Sequence, residues 1–382
     1  MNLLTFVIIL LAVVAIAQVA RVFEEVNKKQ GVNPDEVTDA DNNRQGRNLF
    51  LFMFLFIGAC FYMTYIWWDD MLPMSASEHG KEIDNLMAIS MSLIIFVFLI
   101  TQPLLFFFSY KYRGSKDRKA AYISHNNKLE VIWTSVPALT LTVLILYGLN
   151  TWSDIMGHEN KQGAINVELY GQQFNWTARY AGEDNQLGKA NVRFIEGINT
   201  VGVISKTALD KQTKDLNAKI AANKAKIAES RNAGDKAFMT EQNEKLTKKR
   251  DGMIALEQRT SHKDVMAAED DIVTKELHLP VGEKILLHLR SQDIIHSAYL
   301  PHFRVQMNCV PGMNTQFTFT PTVTTAEMRD EIGDPDFDYV LLCNKICGAA
   351  HYNMQMKVIV ESREDYDKWL ADQATFKTAN LK

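Results

Sequence analysis

Four side chains late in the sequence carry the clearest chemistry. Cys343 and Cys347 stand four apart, His351 follows four later and Met354 three beyond that, in the run CNKICGAAHYNM. Two soft thiolates, an imidazole and a weak thioether form the donor set that selects copper used for electron transfer. Hard ions such as Ca²⁺ and Mg²⁺ want oxygen instead. A disulfide between the two cysteines would suit an oxidising compartment, but it leaves His351 and Met354 at ligand spacing without a reason. Zinc more often uses paired Cys-x-x-Cys spacing and has little use for methionine. A mononuclear blue-copper site needs only one cysteine and a distant second histidine. Two cysteines in one loop fit two coppers better, each sulfur bridging both. The second histidine must come from elsewhere: Ser291 to Tyr299, SQDIIHSAY, supplies His296 at the end of a predicted strand, while His288 and His302 compete with it on composition.

The elements that must hold these residues begin after Trp152, where the pattern turns to period-two alternation. Ile165, Val167 and Leu169 point one way and Asn166, Glu168 and Tyr170 the other, as in a strand with one buried face. Similar runs at Ile285 to Leu289, Gln316 to Phe319 and Met356 to Val360 predict an all-β sandwich or barrel. The stretch Thr207 to Glu269 does not fit that sheet, being rich in Ala, Lys, Glu and Gln and free of Pro. Leu209, Leu216, Ile220 and Ile227, and then Met239, Leu246, Met253 and Leu256 after the break Asn232-Ala233-Gly234-Asp235, keep heptad spacing. That predicts an antiparallel helical hairpin inserted between two strands, with its charges on a solvated face.

The first 150 of the 382 residues are very different. Four apolar runs, Leu3 to Val19, Leu49 to Trp68, Leu86 to Phe108 and Val131 to Leu149, each come close to the roughly 20 residues a helix needs to cross about 30 Å of hydrocarbon. The first run also offers a small-residue cleavage site, Ala15-Ile16-Ala17, but no Lys or Arg precedes it, so a retained helix is the expectation. Cys60, deep in the second run, reads as a buried and inert thiol. The link with Lys111, Arg113, Lys116, Arg118, Lys119 and Lys128 is strongly basic and should be cytoplasmic. The link with Asp69, Asp70, Glu78, Glu82 and Asp84 should face out. Four spans then leave both termini outside, with everything after residue 150 extracytoplasmic. A net charge of -4 and a pI near 6.2 give no footprint for nucleic acid.

Over most of residues 86 to 362 the chain resembles subunit II of the haem-copper cytochrome oxidases. The family's motif D-x-x-H-S appears as Asp293 to Ser297, its Pro-Gly turn as Pro311-Gly312, and its loop C-x-E-x-C-G-x-x-H-x-x-M as Cys343 to Met354. His125 to Glu130, followed by Trp133, Thr134 and Pro137, resembles the start of the family's second membrane helix. The resemblance implies membrane helices plus an all-β part, a cupredoxin-like β-sandwich or barrel holding a binuclear copper A centre. Its implied ligands are His296, Cys343, Cys347, His351, Met354 and the backbone carbonyl of Lys345, and His302 then drops out. Glu130 corresponds to a residue at the mouth of a proton pathway; taken alone it reads as a helix N-terminal acid favoured by the macrodipole.

Three departures qualify the resemblance. The family places Glu where Lys345 stands and usually Asp where Asn308 stands, so the carboxylates of its neighbouring Mg²⁺ site are missing and no magnesium is expected. The family's motif G-H-Q-W-x-W reads Gly171-Gln172-Gln173-Phe174-Asn175-Trp176, putting Phe174 where electrons are taken in and leaving Trp176 as the remaining indole. The helices before Leu86 and the hairpin lie outside the resemblance. The organisation expected is an N-terminal membrane region of two helices (1–85), a transmembrane hairpin (86–150), a copper domain (151–206 and 270–362), the inserted hairpin (207–269) and a tail (363–382).

The function implied is that of an electron-transferring subunit in the inner membrane. It takes electrons from a cytochrome c or a fixed haem-domain donor and passes them to a haem-bearing subunit I that reduces O₂ and pumps protons. Two rivals differ in class. A quinol oxidase subunit II has lost the copper ligands, which are complete here. A membrane-anchored copper chaperone would show the same loop but exchange its metal readily.

Overall fold

The structure is a computed structural model and describes residues 3–29, 37–157, 161–197 and 199–381. Four long helices come first: α1 (Leu3–Lys29), α2 (Asp39–Ile66), α3 (Gly80–Lys111) and α4 (Asn127–Met156). The last three run to 28, 32 and 30 residues and are long and apolar enough to cross a membrane. At 1.5 Å per residue each exceeds the roughly 30 Å hydrocarbon core, with turns to spare in the headgroup layers. Whether the first run crosses rests largely on side chains outside the described residues, so three spans stand where four were expected.

Local chemistry marks where these helices begin and end. Thr38 accepts a hydrogen bond from Asp41 N while the Asp41 carboxylate accepts from Thr38, a reciprocal cap that starts α2. Tyr65, Trp67 and Trp68 lie exposed where α2 ends, Trp152 near the end of α4, and Tyr112 just past α3. Aromatic rings with one polar atom suit the headgroup level of a bilayer. Within the membrane unit an aromatic seam joins α2 to α3: Phe50 stacks on Tyr110 at 5.3 Å, and Phe52 meets Phe106 at 5.9 Å.

The chain divides into two compact units, Met1–Leu72 with Ser90–Ala138, and Pro73–Ile89 with Leu139–Lys382. The second is built on ten strands: β1 (Ile165–Gln172), β2 (Asn175–Tyr180), β3 (Ile272–Thr274), β4 (Leu277–Pro280), β5 (Ile285–Ser291), β6 (His296–Leu300), β7 (Val305–Cys309), β8 (Thr315–Phe319), β9 (Tyr339–Cys343) and β10 (Gln355–Glu361). They form two five-stranded sheets, ordered β3-β2-β1-β5-β8 and β4-β10-β9-β6-β7. The pairs β1/β5 and β10/β4 are parallel. Val167, Leu169, Leu287 and Leu289 of one sheet and Leu279, Ala298, Leu341 and Val358 of the other belong to one fully buried core.

The first sheet departs from the one-buried-face expectation, because Glu168 and Tyr170 are 2% and 1% exposed. Tyr170 clusters with Val201, Val203, Ala208, Ala268 and Phe376, so the chain flanking the hairpin covers this face. Glu168 is neutralised there by Arg179 and Arg290, and Arg179 also pairs with Asp271 at 2.8 Å. Buried charge survives only when paired in this way.

The hairpin is α5 (Lys206–Glu229) and α6 (Ala233–Arg259), capped by the Ser205 and Asn232 side chains. A short α7 (His262–Ala267) follows, and Leu209, Leu216, Met253 and Val265 pack on Phe194 and Ile204. The segment after residue 362 is more than a tail. After α8 (Thr325–Ile332) in the β-domain come α9 (Arg363–Asp372) and α10 (Phe376–Leu381), with Trp369 stacked on His278 at 3.9 Å.

Candidate metal centre

The cysteine loop is the connection from β9 to β10, so Cys343 closes one strand and Met354 immediately precedes the next. Cys343 N donates to Met354 O at 3.0 Å, and Asn344 N donates to Ser297 O at 3.0 Å. These bonds tie the loop's two ends together and fix it to β6. Because β6 pairs with β9 in the register Ala298↔Cys343, His296 at the start of β6 is delivered beside Cys343.

The donor atoms converge. Cys343 Sγ lies 3.8 Å from Cys347 Sγ, 3.8 Å from His296 Nδ1 and 3.3 Å from Lys345 O. Cys347 Sγ lies 3.5 Å from His351 Nδ1 and 3.7 Å from Met354 Sδ. The sulfurs are too far apart for a disulfide, whose S–S bond is about 2.05 Å. Ligands bound at about 2.0–2.3 Å around a tetrahedral metal stand roughly 3.3–3.8 Å apart, which is the spacing seen here. His296, Cys343, Cys347 and Met354 are buried, and the first three place ligand atoms within 4.8 Å of one another. Burial and the neighbouring Cys343 thiol push the Cys347 thiol up to about 11, so a soft metal must displace protons to bind.

The competing histidines sit elsewhere. His288 Nε2 meets Asn166 Oδ1 at 2.8 Å on the other sheet. His302 lies edge-on to Phe337 and Tyr339, both at 5.2 Å, and burial lowers its pKa to about 4. Lys345 presents its carbonyl to Cys343 while its side chain is exposed. Trp176 is buried, with its ring 6.0 Å from His296. Phe174 is half-buried against the loop: a Cβ on Gly348, whose φ is +132°, would fall 2.9 Å from Phe174 Cζ. Glu130 belongs to the membrane unit, exposed in the first turn of α4.

Two supporting residues carry no signal in the ligand spacing. Asp293 Oδ1 faces His296 Nε2 at 2.8 Å, which leaves Nδ1 to face the cysteines. Its other oxygen accepts from Gln173 N at 2.7 Å, and Gln173 Nε2 donates to Cys347 O at 2.6 Å. Burial works to raise the Asp293 carboxyl, but Gln173 N, His296 and Ile294 N outweigh it and hold its pKa low. The aspartate of D-x-x-H-S was the only hint of this clamp in the sequence.

Comparison with known proteins decides the family. The model "Cytochrome C oxidase subunit II, transmembrane domain" matches residues 49–151, and "Cytochrome C oxidase subunit II, periplasmic domain" matches residues 250–362. The chain belongs to the cytochrome c oxidase subunit II family. It is similar to the alternative cytochrome c oxidase subunit 2 of Bradyrhizobium diazoefficiens, with 29% identity over 86% of this chain and 92% of that one. Cytochrome c oxidase subunit 2 of Thermostichus vulcanus is 26% identical over 81% of this chain and 80% of its own. Among solved structures, the periplasmic domain of subunit II from Bradyrhizobium japonicum covers 54% of this chain and 91% of its own, at 14% identity and a TM-score of 0.26.

As subunit II, the chain is part of a membrane-bound cytochrome c oxidase, with its β-domain on the periplasmic side. The transmembrane match starts at Leu49 and so takes in the apolar part of α2, beyond the motif-level resemblance that began at residue 86. The His/Cys/Cys/Met cluster fits the copper site of this family.

Proposed function

We propose that His296, Cys343, Cys347, His351, Met354 and the Lys345 carbonyl hold two copper ions as one binuclear centre. The observation that carries this reading is the pair of sulfurs 3.8 Å apart with an imidazole nitrogen 3.8 Å from one and 3.5 Å from the other. A two-copper centre of this kind supplies one-electron redox chemistry. The protein's own part is to hold the donors still: Asp293 fixes the His296 ring, Gln173 grips the Cys347 carbonyl, and burial of both cysteines keeps water away. A cage set by the fold changes little between oxidation states.

Electrons arrive from a cytochrome c or a fixed haem-domain donor at the β1–β2 turn, where Phe174 packs on the loop and Trp176 lies beneath it beside His296. They leave to the haem-bearing subunit I, where O₂ is reduced. Glu130, in the first turn of α4, is the proposed proton-pathway residue.

The test is metal analysis with optical and EPR spectra on the purified full chain loaded with copper. Two coppers per chain with a delocalised mixed-valence signal support the proposal. One copper, zinc, or a Cys343–Cys347 disulfide overturns it.

A further inference from the structure

We propose that the link between α3 and α4 is a docking surface for anionic phospholipid headgroups of the inner leaflet. The periplasmic β-domain follows α4, so this link lies at the opposite, cytoplasmic ends of α3 and α4. Residues 111 to 130 hold Lys111, Arg113, Lys116, Arg118, Lys119 and Lys128 against two acids, Asp117 and Glu130.

The structure divides these cations by task. Arg118 Nη1 donates to Lys111 O at 2.7 Å and its other nitrogen to Arg113 O, while Arg113 Nη1 donates to Tyr110 O at 2.7 Å. Both arginines therefore satisfy carbonyls at the end of α3. The backbone of the turn is held as well, since Lys116 N donates to the Asp39 carboxylate at 3.1 Å and 3.2 Å. Lys116, Lys119 and Lys128 are left exposed, and among the described residues none has an ion-pair partner.

The same link carries apolar surface that water does not favour. Tyr122 and Ile123 are 93% and 72% exposed, and Tyr112 and Trp133, exposed at 63% and 60%, flank them. Among the described residues no amide from Lys119 to Asn126 donates to a backbone carbonyl. This segment is thus an irregular strip that carries Tyr122 and Ile123 between Lys119 and Lys128 and is joined at both ends to apolar helices. An acidic protein would answer the lysines alone. A bilayer surface answers both parts, because Tyr and Ile enter the headgroup boundary while lysine stems carry their charges to phosphate. Near an anionic surface each such lysine is worth about fivefold in affinity.

The experiment is hydrogen exchange on the full chain in nanodiscs of phosphatidylcholine, with or without phosphatidylglycerol, and repeated with subunit I present. With phosphatidylglycerol, amides 119–126 should exchange about tenfold or more slowly than in phosphatidylcholine alone. High salt should reverse this. The triple variant Lys116→Gln, Lys119→Gln, Lys128→Gln should lose the protection, and the matching triple Arg variant should keep it. Equal exchange in the two lipid compositions would overturn the proposal. So would protection that appears only with subunit I, which would assign the strip to a protein contact.

Discussion

Between Cys343 and Met354 the chain forms nothing more regular than one short turn, yet both cysteines and Met354 are buried. Between Lys206 and Arg259 it forms two regular helices whose outer ends are exposed. The loop is held by a few long-range bonds: Asn344 N to Ser297 O, Gln173 Nε2 to Cys347 O, and behind them Gln173 N to the Asp293 carboxylate. The hairpin is held by apolar contacts near its base and by surface ion pairs such as Lys245–Glu241 at 2.6 Å and Lys249–Glu196 at 2.7 Å. Regularity is cheap where helix propensity and heptads act locally. An irregular loop that must fix metal ligands borrows its rigidity from strands far away in sequence.

The sharpest way to break that contrast is Gly348→Ala. The residue's φ of +132° disfavours any side chain, and a Cβ would stand 2.9 Å from both Gln173 Nε2 and Phe174 Cζ. Backbone strain of about 1–3 kcal/mol and overpacking of about 1–3 kcal/mol should both fall on the loop. Copper content after dialysis against a chelator should drop at least about tenfold, with the hairpin's helical signal retained. Full copper retention would mean that the clamp does not hold the loop.

Leu216→Ala addresses the other region. Leu216 is 1% exposed in the cluster with Phe194, Leu209 and Met253, so its truncation should cost about 2–5 kcal/mol. Thermal unfolding followed by circular dichroism should show the hairpin melting early while copper content stays the same. If copper is lost as well, the hairpin and the site form one cooperative unit and the contrast fails.

Asp293→Ala sits next in size. Removing a group that orients a metal-binding histidine typically costs about 10–100-fold in metal affinity. Here it also frees Gln173 N, so the copper EPR hyperfine pattern should change along with the affinity measured by competition. Asp293→Asn, which retains an acceptor oxygen, should recover part of both. An unchanged spectrum in the Ala variant would reduce Asp293 to a turn residue.

How far the sequence could be read follows the same division between local and distant causes. The apolar runs behind α2, α3 and α4, the heptads of α5 and α6, and the spacing of Cys343, Cys347, His351 and Met354 are local, and each was legible. Choosing His296 over His288 and His302 needed either a family motif or the β6/β9 register. The Gln173–Asp293 bond joins residues 120 apart and exists because β1 lies parallel to β5. No period in the sequence encodes that pairing. Glu168 and Tyr170 read as solvent-facing because alternation cannot reveal that a later insertion will cover the sheet. The helices after residue 362 dock through scattered side chains, such as Trp369 on His278 and Tyr180, and Phe376 beside Tyr170, which leave no periodic trace.

Glu196 tests the weakest tie. It accepts from Lys219 at 3.1 Å and Lys249 at 2.7 Å, joining the base of the β-domain to both helices of the hairpin. The Lys249 hydrogen bond, opposed by partial burial and aided by Lys219, holds its carboxyl below the usual 4.5. A carboxyl that is more acidic in the folded state stabilises the fold above its unfolded value, and that contribution disappears as pH falls through the folded one. Exposed pairs are worth about 0–1 kcal/mol and are screened by salt. Glu196→Gln should therefore lower the hairpin's melting point by only a degree or two at neutral pH and low salt, roughly the shift such an energy produces. Once the pH has fallen through the folded value, or in high salt, the variant and the parent should melt together. A loss as large as that of Leu216→Ala would show that charge, rather than the apolar base, seats the hairpin on the domain.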